Sequence, residues 1–309
     1  MEKAVQVSVI MSVYNESLEE LECSVNSILF QTFKDFEFII VLDNPCHQIL
    51  LDKLVWYSHQ DQRVKVIMNP INIGLSASLN VAIERSKGEY IVRMDADDFS
   101  HPKRIENLMK IAKTCKADVY YSAFYYMNGE GVRTATSLKV PSNRHLKYIL
   151  SLKNIICHPT VMFDAETIKM IKYSDLSVCE DYELWLRMMG LGCSFYGVNQ
   201  HLVGVRIREG SMTTTNYFKT YCFEKAIRKH YRKSQQELNN PQLMVMYNKN
   251  HWRAKSFNEQ ALVYHQKLKN QNNESMTRRF TSILWVCVKE PLLMDLAVRT
   301  FLASILRKV

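Results

Sequence analysis

Stretches with strand and helix character alternate over the first 115 residues with short connections between them, and this order narrows the possible folds more than any other feature. VQVSVIMSV (residues 5–13) is the continuous apolar run of a buried strand. Ser17 and Glu20 form a capping box that opens a helix, with Leu18, Leu21, Val25 and Ile28 at helical spacing. FEFIIVLD (36–43) reads as a second strand, followed by a helix and a third strand, VKVIMN (64–69). Leu75, Leu79, Ala82, Ile83 and Ser86 share the face of a further helix, which Gly88 is expected to stop, and YIVRMD is the fourth strand. Strands in alternation with helices predict an α/β fold: a Rossmann-like, mostly parallel sheet with helices on both faces.

That order also predicts where polar residues gather. Open parallel sheets bind ligands outside the carboxyl ends of their strands. SVYNES after the first strand, LDNP after the second and DADD after the fourth therefore share one rim. DADD places Asp95, Asp97 and Asp98 within four positions, where their charges repel unless a cation or hydrogen-bond donors offset them. In extended chain Asp95 and Asp97 point to one side and Asp98 to the other. Hard cations such as Mg2+ and Mn2+ take oxygen ligands, often one or two carboxylates with substrate phosphates. Asp98 or Ser100 has the alternative of capping a helix expected near Pro102.

Past residue 115 the pattern changes. DVYYSAFYYM, the turn Asn128-Gly129 and VRTATSLKV predict a hairpin, a helix follows near 142–153, and IICHPTVMF reads as a strand. EDYELWLRMMG is a helix stopped by Gly190, and CSFYGVN and LVGVRIRE are two closing strands. From about 215 the chain is expected to be helical and basic: residues 201–309 hold 19 Lys and Arg against 7 Asp and Glu, a net of +12, against −3 for residues 1–200. Such a surface suits nucleic acid, an anionic membrane or a phosphorylated ligand, and without any DNA- or RNA-binding motif no nucleic-acid partner is expected. In EPLLMDLAVRTFLASILRKV, Glu290 and Pro291 would start a helix with a wide apolar side and a narrow polar stripe of Asp295, Arg299, Ser304 and Lys308. It would cover the sheet domain, dimerise or lie in a membrane interface. The eight cysteines stand singly and read as small buried hydrophobes in a reducing compartment. Without signal-peptide features or a run of about 18 apolar residues, the expected location is the cytoplasm, with peripheral contact at the inner face of the membrane.

Taken in order, SVIMSVYNES, SILFQTFKDFEFIIVLDNP, NIGLSASLN, KGEYIVRMDADD, HPTVMF and EDYELWLRM resemble the family 2 glycosyltransferases of the GT-A fold, in particular bacterial members that build capsular or O-antigen polysaccharide. The resemblance runs from residue 5 to about 212. It implies a GT-A catalytic domain over 1–212, with a nucleotide-binding half (1–115) and an acceptor-binding half (116–212), and a basic helical region over 213–309. The implied donor is a UDP-hexose or UDP-N-acetylhexosamine. The implied acceptor is a hydroxyl of a growing, lipid-linked surface glycan.

Residue by residue, the resemblance assigns Ser12, Val13, Tyr14 and Glu16 to the base and ribose, Asp43 to the uracil ring, and Asn72 and Gly74 to the loop shaping the nucleotide pocket. Asp95, Ala96 and Asp97 match the D-x-D motif, with Asp97 the direct ligand of Mn2+ or Mg2+ and Asp95 nearer the ribose or sugar. Asp181 matches the catalytic base, with Glu180 beside it, although an acid in a helix's first turn also reads as a cap. His158 either orients the sugar or diphosphate or is satisfied in the core. Arg206 and Arg208 alternate along a strand and would pair with the diphosphate, but Val205-Arg206-Ile207-Arg208 departs from the family's Tyr-Arg-x-His. Asn44 and Pro45-Cys46-His47 depart from the usual acid and Gly-Ser after Asp43. A nucleotidyltransferase would need a glycine-rich basic phosphate loop, and SVYNES has neither Gly nor Lys. A nucleotide-sugar-binding or scaffolding subunit without turnover is the non-enzymatic alternative.

Overall fold

The computed structural model describes residues 5–137, 139–141, 143–207, 217–234, 238–250, 253–269 and 292–306. Four strands, β1 (Val7–Val13), β2 (Phe36–Leu42), β3 (Val64–Met68) and β4 (Tyr90–Asp95), pair in parallel, in the order β3-β2-β1-β4. The register aligns their carboxyl ends: Val13 faces Leu42, Leu42 faces Met68, and Ser12 faces Asp95. The loops expected on one rim are therefore on one rim.

Beyond β4 the sheet continues through β8 (Val161–Asp164), β6 (Val119–Met127), β9 (Phe195–Arg206) and β5 (Phe99–Ser100), with β7 (Arg133–Thr136) paired to β6. β8 is antiparallel to both β4 and β6, whereas β6 and β9 are parallel. The two closing strands expected from sequence are one strand of 12 residues, β9, whose register against β6 shifts on both sides of Ala123. Those irregularities interrupt the alternation that a strand shows in sequence. IICHPTVMF is only partly a strand: a 3-10 turn, His158–Thr160, precedes β8.

Helices cover both faces because alternate residues of each strand are apolar in both directions. Val9 and Met11 of β1 pack with Leu21, Val25 and Ile28 of α1 (Leu18–Leu29), Leu50 and Leu54 of α2 (Gln48–Gln60) and Ile105 and Leu108 of α4 (Arg104–Ala112). Ile10 packs on the other side in a cluster with Leu79 and Ile83 of α3 (Leu75–Arg85), Leu146 and Leu150 of α5 (Asn143–Leu150), Ile168 of α6 (Ala165–Ile171) and Trp185 of α7 (Glu180–Gly190). Each such aliphatic side chain contributes about 1.5–3 kcal/mol on full burial. Phe223 and Ile227 of α8 (Tyr217–Tyr231) and Leu243 of α9 (Asn240–Asn250) join this second cluster, so the basic region shares the sheet's core. α10 (Ala254–Lys269) and α11 (Leu292–Leu306) pack on α8 through Phe218, Tyr221, Phe257, Ala261 and Leu293.

Local signals held in part. The Ser17–Glu20 capping box is present in both directions. Gly88 does not stop α3, which ends at Arg85; a Cβ there would lie 2.5 Å from the backbone nitrogen of Ser8, so the glycine serves a close approach to β1. α7 includes Gly190, and the positive φ that follows it belongs to Gly192, at 87°. α4 is capped neither by Asp98 nor by Ser100: Gln31 Oε1 accepts from Ile105 N at 3.1 Å, and Gln31 Nε2 donates to Ser100 Oγ at 3.1 Å.

Candidate active site

The rim loops meet a cleft of about 700 Å³ whose lining includes Arg93, Asp95, Asn154, His158, Glu180 and Asp181. Each side chain arrives for a local reason. Asp95 ends β4, and its carbonyl accepts from Ser24 Oγ of α1 at 2.7 Å, which fixes the start of the DADD loop. The carboxylate of Asp95 is paired with Arg93, two residues earlier on the same face of β4. Burial works to lower the pKa of Arg93, but the charge of Asp95 outweighs it and the guanidinium stays protonated. Nε and Nη1 of Arg93 have no hydrogen-bond partner among the described residues, although the side chain is 2 % exposed.

Oxygen atoms of Asp95, Asp97 and Asp98, one from each, lie within 4.8 Å of one another. Asp98 turns into the protein, where Oδ1 accepts from Arg206 N at 2.9 Å and Oδ2 has no partner among the described residues. Burial, and then the charges of Asp95 and Asp97, push its carboxyl well above the usual range. Arg206 clamps this loop from β9. Its Nε donates to Asp97 O at 2.8 Å, Nη1 donates to Gly129 O in the β6–β7 connection, and Nη2 lies 3.8 Å from Cys23 Sγ. The guanidinium expected on a diphosphate thus holds the DADD backbone, and Arg208 lies outside the described residues. Beneath the loop Arg104 is fully buried, with Nη2 donating to Arg93 O at 2.8 Å; burial, then the nearby Arg93 charge, lowers its pKa to about 9.

The loops after β1, β2 and β3 form the neighbouring part of the rim. Ser12 and Val13 end β1, Tyr14 is half exposed, and Glu16 accepts from Tyr14 N at 2.8 Å. Asp43 is buried, with Oδ1 accepting from Asn69 Nδ2 (2.8 Å) and Ile73 N (2.9 Å), and Oδ2 from Gly74 N (2.8 Å). The acid assigned to a base therefore also ties the β3–α3 loop to β2. Asn72 Oδ1 accepts from Gly74 N at 3.0 Å, and Gly74 adopts φ 86° and ψ 163°, a backbone region open essentially to glycine alone. Ala96 is buried against the α1 side of the sheet.

Asp181 stands in the first turn of α7. Its Oδ2 accepts from Asn154 Nδ2 at 2.8 Å and its Oδ1 from Tyr182 N at 2.6 Å. Burial, then the charge of Glu180, raises its pKa to about 6. Glu180 itself is held below its usual value: burial works upward, but the bond and charge of His158 outweigh it. His158 Nδ1 lies 3.5 Å from Glu180 Oε1 and Nε2 shares a hydrogen bond with the Tyr173 hydroxyl at 2.7 Å, so both ring nitrogens are satisfied within the protein while the ring faces the cleft. Cys179 precedes this pair at φ 62°, a left-handed conformation uncommon for a residue with a Cβ and found disproportionately where a site needs a chain turn. Glu183 anchors the helix behind them through Ser174 and Arg187.

Arg93, Asn154, Tyr173 and Cys179 were not singled out from sequence. Strand alternation places Arg93 beside Asp95, a signal that was available. Asn154 reaches the cleft and Tyr173 reaches His158 only through tertiary packing, and nothing in their neighbourhood marks them. Conversely, Tyr14, Glu16, Asp43, Asn72 and Gly74 sit on the rim rather than among the residues that line the cleft.

Comparison with known proteins places this geometry in a family. Residues 8–178 match the description "Glycosyl transferase family 2". An uncharacterised glycosyltransferase of Methanocaldococcus jannaschii is 31 % identical over 76 % of this chain and 82 % of its own length. The O-antigen biosynthesis glycosyltransferase WbnJ of Escherichia coli is 36 % identical over 59 % of this chain and 71 % of its own. Staphylococcus aureus TarS, solved in complex with UDP-GlcNAc, shares the fold with a TM-score of 0.58 and 19 % identity, over 91 % of this chain and 79 % of that one. With its mostly parallel sheet, its acid-bearing rim and a match across more than half its length, the chain belongs to glycosyl transferase family 2.

Proposed function

We propose that this glycosyltransferase is metal-dependent and inverting, and that it moves a hexose or N-acetylhexosamine from a UDP-sugar to a hydroxyl of a growing surface polysaccharide carried on lipid at the inner face of the membrane. One observation carries the reading: Asp95, whose carboxylate clusters with those of Asp97 and Asp98, lines the same cleft as Asp181, an acid whose pKa burial and the Glu180 charge raise to about 6. The solved relative with UDP-GlcNAc and the O-antigen relative support the donor class and the product class.

The nucleoside would lie on the loops after β1 and β2. A carboxylate offers about four acceptor positions. Asp43 uses three of them on the β3–α3 loop, which leaves one for an N–H of the base. Asp97 and Asp95 would hold Mn2+ or Mg2+, and the all-oxygen set with its unpartnered Asp98 Oδ2 fits a hard cation. When bound, such an ion offsets the negative charge that builds on the departing diphosphate. Arg206 keeps the backbone of the loop in place by its bonds to Asp97 O and the Asp98 carboxyl.

Asp181 receives the proton of the acceptor hydroxyl as its oxygen attacks the anomeric carbon. The new C–O bond forms as the bond to the diphosphate oxygen breaks, and attack from the opposite face inverts the centre. A general base of this kind contributes about 10²- to 10⁴-fold. Asp181→Asn is therefore expected to bind UDP as the parent does and to lose transfer by a factor in that range. Full transfer by the variant removes Asp181 as the base.

A further inference from the structure

α11 is apolar on two sides, one packed on the protein and one exposed. Met294, Val298, Phe301, Leu302 and Ile305 are 38–64 % exposed, and their spacing of four, three, one and three residues places them on one stripe of the helix. The opposite side packs on the protein through Leu293, Leu296 and Ala297 and carries Arg299 as well. Arg299 is buried, with Nη1 donating to Leu152 O at 2.9 Å and Nη2 3.0 Å from Asp295, and Thr300 and Ala303 line the cleft that holds Asp181. For a helix that only covered a domain the packed side would suffice, and the exposed apolar stripe would have no role. Contiguous apolar surface of this kind marks a partner or a membrane, and among the described residues no helix is long and apolar enough to cross one.

Charge selects the partner. α5 packs against α11 and exposes Arg144, Lys147 and Tyr148, the last 63 % exposed. Arg307 and Lys308 follow the stripe directly in sequence, within a region whose net charge is +12 over residues 201–309. A second copy of the chain would oppose this charge with its own, whereas anionic lipid headgroups complement it, and tyrosine suits the boundary between headgroups and acyl chains.

We propose that α11 seats the protein on an anionic lipid surface through Met294, Val298, Phe301, Leu302 and Ile305, with the cleft wall made by Thr300 and Ala303 facing the arriving acceptor. What the lipid carries rests on the function proposed above; the docking itself does not. The helix then has two jobs on two faces, one toward the bilayer and one toward the site.

The test is flotation of the full chain with vesicles of phosphatidylcholine alone and of phosphatidylcholine with phosphatidylglycerol, beside a Leu302→Ser/Ile305→Ser variant. Binding of UDP is measured on the same samples. The expected result is flotation with the anionic vesicles, about tenfold weaker partition of the variant, and unchanged UDP binding, which shows that the variant is folded. Absence of flotation with either vesicle, equal partition of parent and variant, or a parent dimer that the variant dissolves without any vesicle binding overturns the proposal. Flotation without UDP binding by the parent would leave the docking standing and remove the donor reading instead.

Discussion

Asn154 donates through Nδ2 to Oδ2 of Asp181 at 2.8 Å, while its own Oδ1, buried at the cleft, meets no donor among the described residues. One amide thus orients the acid of α7. Its bond favours the ionised form of Asp181, opposing burial and the Glu180 charge, which raise the pKa. Asn154→Ala should lower kcat by about tenfold, the loss of roughly one charge-assisted hydrogen bond, and move the acid limb of the kcat profile to higher pH. An unchanged limb would mean that Asn154 does not act through Asp181.

The pH profile of the parent follows from the same pair. A base must be ionised to accept a proton, so activity is full above the pKa of Asp181 and is lost as pH falls through about 6. Glu180→Gln removes the charge that lifts this value, so the limb should shift to lower pH, opposite to Asn154→Ala. Measurement of kcat from pH 4.5 to 8 in the three proteins checks both signs together.

Gly74 is a test of loop geometry without contact chemistry. Nothing lies within 4 Å of the place a Cβ would occupy, so Gly74→Ala adds no clash and only forces alanine into φ 86°. The expected cost is about 1–3 kcal/mol in denaturant unfolding, together with a raised KM for the donor, because Gly74 N is one of the three donors that hold Asp43.

Much of residues 5–115 was legible because the strands there are continuous apolar runs and the helices carry spaced apolar residues, and both signals survive without tertiary context. The shared rim followed from strand order, and Ser17 and Glu20 marked a helix start that the structure contains. Gly88 was misread as a helix stop because its cause is the backbone of Ser8, distant in sequence. The alternation of Arg206 and Arg208 along a strand suggests a diphosphate partner, but sequence carries no sign that Asp97 O and Gly129 O accept from Arg206. For the C-terminal helix, periodicity separated an apolar from a polar side but carried no information on which side packs against the neighbouring helices. That α11 points Arg299 inward and Leu302 outward is decided by its neighbours, Leu152 O among them.

The central claim, a metal-assisted sugar-nucleotide site built on Asp95 and Asp97, is tested most directly by calorimetric titration of the purified chain with UDP, in Mn2+ and in EDTA, with Asp97→Ala as the third sample. The account predicts binding in Mn2+, loss of binding by at least about tenfold in EDTA, and the same loss in Asp97→Ala with the metal present. Equal UDP binding in all three samples would contradict it.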